Sequence, residues 1–104
     1  MDIKEYLQNE TGIPTEEVAF TSPQKLPFTI ILDSLSHDGD DFHVQIRDHD
    51  IAVEFYAERI DKSNEAKLEA AFDKKGWKYT RDRVWLADEK CFETIYGINF
   101  TEKR

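Results

Sequence analysis

Apolar and polar positions change their rhythm several times along the 104-residue chain, and each rhythm predicts an element. Ile3, Tyr6 and Leu7 recur at helical spacing with Asp2 and Glu5 at the front, where carboxylates suit the exposed N–H groups of a first turn. A short helix from Asp2 to Asn9 is expected, ending at "TGIP", where Gly12 and Pro14 break it. "TSPQKLP" then carries two prolines and reads as an extended connector into the apolar run Phe28 to Leu32, the first strand. Further on, Phe42, Val44 and Ile46 alternate with polar residues, and Ile51, Val53 and Phe55 do so again. Period-2 alternation predicts two half-buried strands, with "HDGDD" as a turn before them and "RDHD" as a turn between them.

From Asp61 to Lys75 the period lengthens. Ala66, Leu68, Ala71 and Phe72 form the expected apolar stripe of a helix. Asp61 or Ser63 can cap its start, Lys74 and Lys75 suit its negative end, and Gly76 stands where a left-handed cap is wanted. "WKYTRDRVWL" and "CFETIYGINF" flank "ADEK" as a C-terminal hairpin, with Phe92, Thr94, Tyr96, Ile98 and Phe100 on one face of the last strand. The sum is one α+β domain over residues 1–104, a mostly antiparallel sheet in the order α-β-β-β-α-β-β with the helices packed on one face.

Charge alters that picture by its distribution. The 14 basic and 22 acidic residues leave a net charge of −8, and residues 1–60 hold 13 acids against 4 bases while residues 61–104 hold 9 against 10. An acidic surface repels the phosphate backbone, so nonspecific nucleic-acid binding is disfavoured overall. There is no run of about 18 apolar residues and no apolar signal core, so a cytosolic chain without a membrane contact is expected. The single cysteine, Cys91, rules out an internal disulfide and a multi-cysteine metal site.

Candidate chemistry is concentrated in "SHDGDDFHVQIRDHD", with three His and five Asp. A metal centre needs ligands that converge from rigid elements, such as two His one helical turn apart, and neither that pattern nor a calcium-loop spacing is present. His37, His43 and His49 therefore read as turn residues, and no metal or cofactor is expected. Cys91 opens an apolar strand and reads as a packed thiol. No glycine loop exists to cradle a phosphate, so an enzyme is not expected. In "KKGWKYTRDR", Lys78, Arg81 and Arg83 interleave with Trp77 and Tyr79 as in surfaces that stack single strands, but Lys74 and Lys75 complement the helix end and Asp82 interrupts the run. A solvated strand edge, or a contact with an acidic partner, is the plainer reading. Asp38, Asp40 and Asp41 complete the set of candidate interaction residues.

The second half of the chain, in Val53 to Tyr56, "EAKLEAAFDKKG" (Glu65 to Gly76), Trp85 and Phe92 to Phe100, resembles the small tail-completion or tail-terminator proteins of long-tailed phages and prophages of Gram-positive bacteria. "MDIKEYLQNETGIP" resembles the N-terminal helix and "GIP" turn of the same family. The resemblance implies a structural protein whose copies close into a ring on the head-proximal end of the tail tube, a virion component assembled in the bacterial cytoplasm. Its partners would be itself, the tail tube and neck or connector proteins. The acidic loop would then face either the lumen or a neighbouring ring. Another neck or head-tail joining role, or a small protein-binding module acting on a host protein, remains open at this stage.

Overall fold

The computed structural model of the chain describes residues 2–22, 24–36 and 46–103. In chain order the elements are α1 (Ile3–Thr11), β1 (Thr15–Glu17), β2 (Phe28–Ser36), β3 (Ile46–Ala57), α2 (Lys62–Lys74), β4 (Tyr79–Leu86) and β5 (Cys91–Lys103). The strands form one sheet in the order β1-β2-β3-β5-β4, with β1 parallel to β2 and every other pair antiparallel. This is the expected α+β class, with both helices on one face of the sheet.

Local chemistry sets the helix ends. Asp2 accepts from the Glu5 amide at 3.2 Å and so caps α1, and Gly12 closes it at φ +74°. Asp61 accepts from the Asn64 amide at 3.0 Å at the start of α2. At its end Gly76 takes φ +71°, its amide donates to the Asp73 carbonyl at 2.9 Å, and the Trp77 amide donates to the Phe72 carbonyl at 3.0 Å. That pair of bonds is a Schellman ending, and only a residue tolerant of positive φ makes it without strain.

The stripe of α2 differs from the expected one at one position. Ala66 is exposed, and Glu65 is buried in its place beside Leu68, Ala71 and Phe72. At about 100° per residue, positions 66 and 68 lie about 200° apart, so both cannot face the sheet. Glu65 is three positions before Leu68 and therefore lies on the buried side.

The strands also depart from expectation. "RDHD" is not a turn: β3 runs unbroken from Ile46 to Ala57, pairing Asp48, His49 and Asp50 with Ser36, Leu35 and Ser34 of β2 and with Thr101, Phe100 and Asn99 of β5. A strand with neighbours on both sides satisfies its backbone groups twice over, which outweighs the low strand preference of Asp. His37 and His43, the "HDGDD" turn and the Phe42–Gln45 part of the expected strand lie outside the described residues. The strand count is nevertheless kept, because Thr15–Glu17 adds the short edge strand β1.

One core lies between the layers. Ile3 and Leu7 of α1 meet Leu68, Ala71 and Phe72 of α2, and both rest on Ile31, Ile51, Val53, Phe55, Tyr96 and Ile98 of the sheet. The Tyr6 hydroxyl ties the helices by donating to the Ala71 carbonyl at 2.7 Å. Thr94, Tyr96 and Ile98 are buried on the expected face of β5, and the half-buried Phe92 ring lies tilted against that of Trp85, 4.9 Å between centroids. Within this core the Thr29 hydroxyl is fully buried and has no hydrogen-bond partner among the described residues. A buried unpaired hydroxyl costs about 1–3 kcal/mol, so Thr29→Val, which keeps the shape, is expected to leave stability unchanged or raise it by about 1 kcal/mol in urea unfolding. A loss above 1 kcal/mol would mean that the hydroxyl has a partner.

Candidate functional site

The cationic patch of β4 is built against α2. Arg81 and Arg83 stand two apart on a strand and so point to the same side, and Glu65 and Glu69 stand one turn apart on the helix above them. Arg83 forms a two-pronged pair with Glu65, Nε to Oε2 at 3.0 Å and Nη2 to Oε1 at 2.6 Å. The Thr94 hydroxyl donates to the same carboxylate at 2.6 Å. Glu69 accepts from Arg81 at 2.7 Å, from the Tyr96 hydroxyl at 2.8 Å and from the Tyr79 hydroxyl at 3.3 Å. Glu65 is 2% exposed. Burial pushes its carboxyl pKa up, but the Arg83 fork, the Thr94 hydroxyl and the nearby charge of Arg81 outweigh burial and hold it below the ordinary carboxylate value. The Tyr96 hydroxyl is pushed up, first by burial and then by its bond to Glu69.

Two of the three cations singled out from the sequence are therefore held within the chain, joining helix to sheet. Lys78 is exposed and makes no ion pair among the described residues. Trp77 is buried and Tyr79 half-buried, with Tyr79 packed against Phe72 and Tyr96 at 5.3 and 5.7 Å between ring centroids. Neither ring is laid out for a base to stack on. Asp38, Asp40 and Asp41 lie outside the described residues. Cys91 is 4% exposed, and burial together with the charges of Glu89 and Glu93 pushes its thiol pKa up, the reverse of what a nucleophile needs. Among the described residues, no group of three or more His, Cys, Asp or Glu is placed to hold a metal ion, and no helix is long and apolar enough to cross a membrane.

The helix-free face of the sheet carries a second cluster that the sequence pattern did not single out. Strand register aligns Phe28, Tyr56, Glu93 and Val84 in one row across the sheet, and Ile30, Glu54, Ile95 and Asp82 in the next. A third row of smaller residues holds Ala52, Gly97 and Thr80 with Leu32 at its end. The Tyr56 hydroxyl lies 2.9 Å from Glu93 and 3.1 Å from Glu54. Burial raises the Glu54 pKa and the charge of Glu93 raises it further, partly offset by the Tyr56 hydroxyl. Beside this cluster, residues 18–22 and Gln24 wall an open cavity of about 430 Å³ against Phe28, Ile30 and Tyr56. The only early sign of this face was the alternation in 51–56, whose polar half, Glu54 and Tyr56, reads as ordinary solvent exposure.

No protein-family model matches the chain, and no curated protein matches it. Among solved structures, the fold is similar to that of a chain in the virion of a native gene transfer agent particle, with a TM-score of 0.53 and 9% sequence identity over 92% of this chain and 84% of that one. The likeness is one of fold across nearly the whole length of both chains.

Proposed function

We propose that this chain is a structural assembly protein of a phage or prophage tail, acting as a tail terminator whose copies close into a ring at the head-proximal end of the tail tube. The observation that carries this reading is the near full-length fold likeness to a chain of a gene transfer agent virion. It agrees with the independent resemblance of the helix-hairpin segment and the N-terminal turn to tail-completion proteins. The geometry is compatible with such a role. Charged side chains that could have formed a binding patch on β4 are used to fix helix to sheet.

The reading is tested by deleting the gene from a phage or prophage that carries it and imaging the particles by negative-stain electron microscopy. The expected result is tails of irregular, extended length unjoined to heads, restored by supplying the chain in trans. Tails of normal length on fully infectious particles would overturn it. Tails of normal length that stay unjoined would instead favour a neck or head-tail joining role.

A further inference from the structure

The helix-free side of the sheet is acidic, and the exposed side of α2 is basic. On the helix-free side of the sheet, the charged residues within 50–57, 79–86 and 91–99 are Asp50, Glu54, Asp82 and Glu93, with no Lys or Arg among them. Glu54 and Glu93 converge on the single Tyr56 hydroxyl, which has one proton to give. One carboxylate of the pair is thus left without a donor from that tyrosine, next to a like charge on a half-buried surface. On the far side of the molecule, the exposed side of α2 presents Lys62, Lys67 and Lys74 around Ala66 and Ala70, with Asp73 the one acid among them. Lys62 and Lys67 have no ion-pair partner among the described residues, and Lys74 reaches Glu10 at 3.1 Å while staying largely exposed.

We propose that the helix-free face of the sheet is the docking surface for the exposed side of α2 of a second copy of this chain, so that copies associate head to tail. The proposal rests on the assembly reading above and supplies it with a contact. Charge selects the occupant: a basic helix side meets an acidic sheet side, and the same pairing of unlike patches repeats in the next copy. The helix side is shaped for close approach, because Ala66 and Ala70 keep its exposed side chains short. Beside the 18–22 segment, which already lies against Ile30 and Tyr56, the contact also removes half-buried Ile95 and exposed Leu32 from water. Because the two patches lie on opposite sides of one molecule, the contact is heterologous. It does not saturate at a dimer, and it propagates into a ring where the rotation closes.

Charge reversal tests this in a way that loss of folding cannot imitate. One variant carries Glu54→Lys and Glu93→Lys on the sheet, the other Lys62→Glu and Lys67→Glu on the helix, each checked for native circular dichroism. Sedimentation velocity across a concentration series is expected to show association of the natural chain that weakens at least about tenfold as salt shortens the Debye length from about 10 Å to about 3 Å. Each variant alone is expected to stay monomeric, and an equimolar mixture is expected to associate again, since the acidic helix of one then meets the basic sheet of the other. If the Lys variant of the sheet does not fold, Glu54→Gln with Glu93→Gln keeps the shape and is expected to abolish association in the same assay. A natural chain that is monomeric throughout overturns the contact, and so does a folded mixture that fails to associate. Loss in the sheet variant with no loss in the helix variant also overturns it, and points to a different basic segment on the sheet. Variants that associate like the natural chain sink this interface while leaving the ring intact. The ring itself stands or falls on the tail lengths of the deletion phage.

Discussion

Phe72→Ala is expected to cost about 4 kcal/mol, the largest loss from any single truncation considered for this chain. The side chain is fully buried, its ring lies 5.1 Å from Tyr96 and 5.3 Å from Tyr79, and its carbonyl receives the Trp77 amide that ends α2. Removing a buried phenyl ring forfeits its transfer free energy and leaves a cavity that aromatic neighbours fill poorly, a combination that costs about 3–5 kcal/mol. Against a total stability of about 5–15 kcal/mol, the variant should be close to unfolding at 37 °C. Urea titration should show the midpoint fall with the slope unchanged. A loss under about 1 kcal/mol would mean that α2 does not rest on this part of the sheet.

Arg83→Met should cost about 3 kcal/mol by another route. The substitution preserves most of the packing of the side chain but leaves Glu65 buried with only Thr94 as a side-chain donor. Breaking a buried pair from one side costs about 3–5 kcal/mol, and the lower end applies because the Arg83 side chain is 26% exposed and water can enter in its place. The pH dependence is the sharper check. In the natural chain the folded pKa of Glu65 lies below its ordinary value of 4.5, so its contribution is fully present above that value and is lost as pH falls through the lower, folded one. Without Arg83, burial dominates and raises the folded pKa. The sign then reverses, and the variant gains stability as Glu65 takes up its proton. The melting-temperature gap between the two proteins should therefore narrow from pH 7 to pH 4, and a gap that stays constant would show that the pair contributes through packing alone. Replacing all three groups, Glu65→Leu with Arg83→Met and Thr94→Val so that no buried hydroxyl is left unpaired, is expected to recover most of the loss.

Where a rhythm in the sequence had one cause, it could be read. The alternation in 51–56 and 92–98 comes from strands with one face against helices, and the caps at Asp61 and Gly76 act within a few residues of themselves. Where two requirements met at one position, the pattern misled. Residues 48–50 are polar and turn-prone, yet their backbone groups lie between two neighbouring strands, and pairing on both sides is decided by residues elsewhere in the chain. Thr15–Glu17 is too short and too polar to have a period, and becomes a strand only because Phe28–Ser36 runs beside it. Glu65 resembles any solvated helix glutamate, and its reason for burial lies 18 and 29 residues downstream in Arg83 and Thr94. Its phase relative to Leu68 and Phe72 was the available signal, and a check of helical angle in place of hydrophobicity would have found it. Arg81 and Arg83 looked free for the same reason: a charged residue announces its sign in the sequence, but not its partner.

The position of β5 between β3 and β4 bears on how the chain is made. A ribosome-bound chain that has emerged as far as Lys90 has α2 and β4 in hand, yet β3 has no neighbour on one side and β4 has none at all, because both pair with residues 91–103. Among the described residues the longest ladder joins residues 46–57 to residues 92–103, a closure that cannot begin until the later segment is synthesised. Tyr96 and Ile98, which complete the core, arrive in that same segment. Until then the nascent chain exposes unpaired strand edges and apolar side chains, the surfaces that recruit chaperones or neighbouring nascent chains. Copies translated side by side on one messenger would meet in that state, so for a protein of this topology the timing of synthesis bears on whether strands pair within one chain or between two.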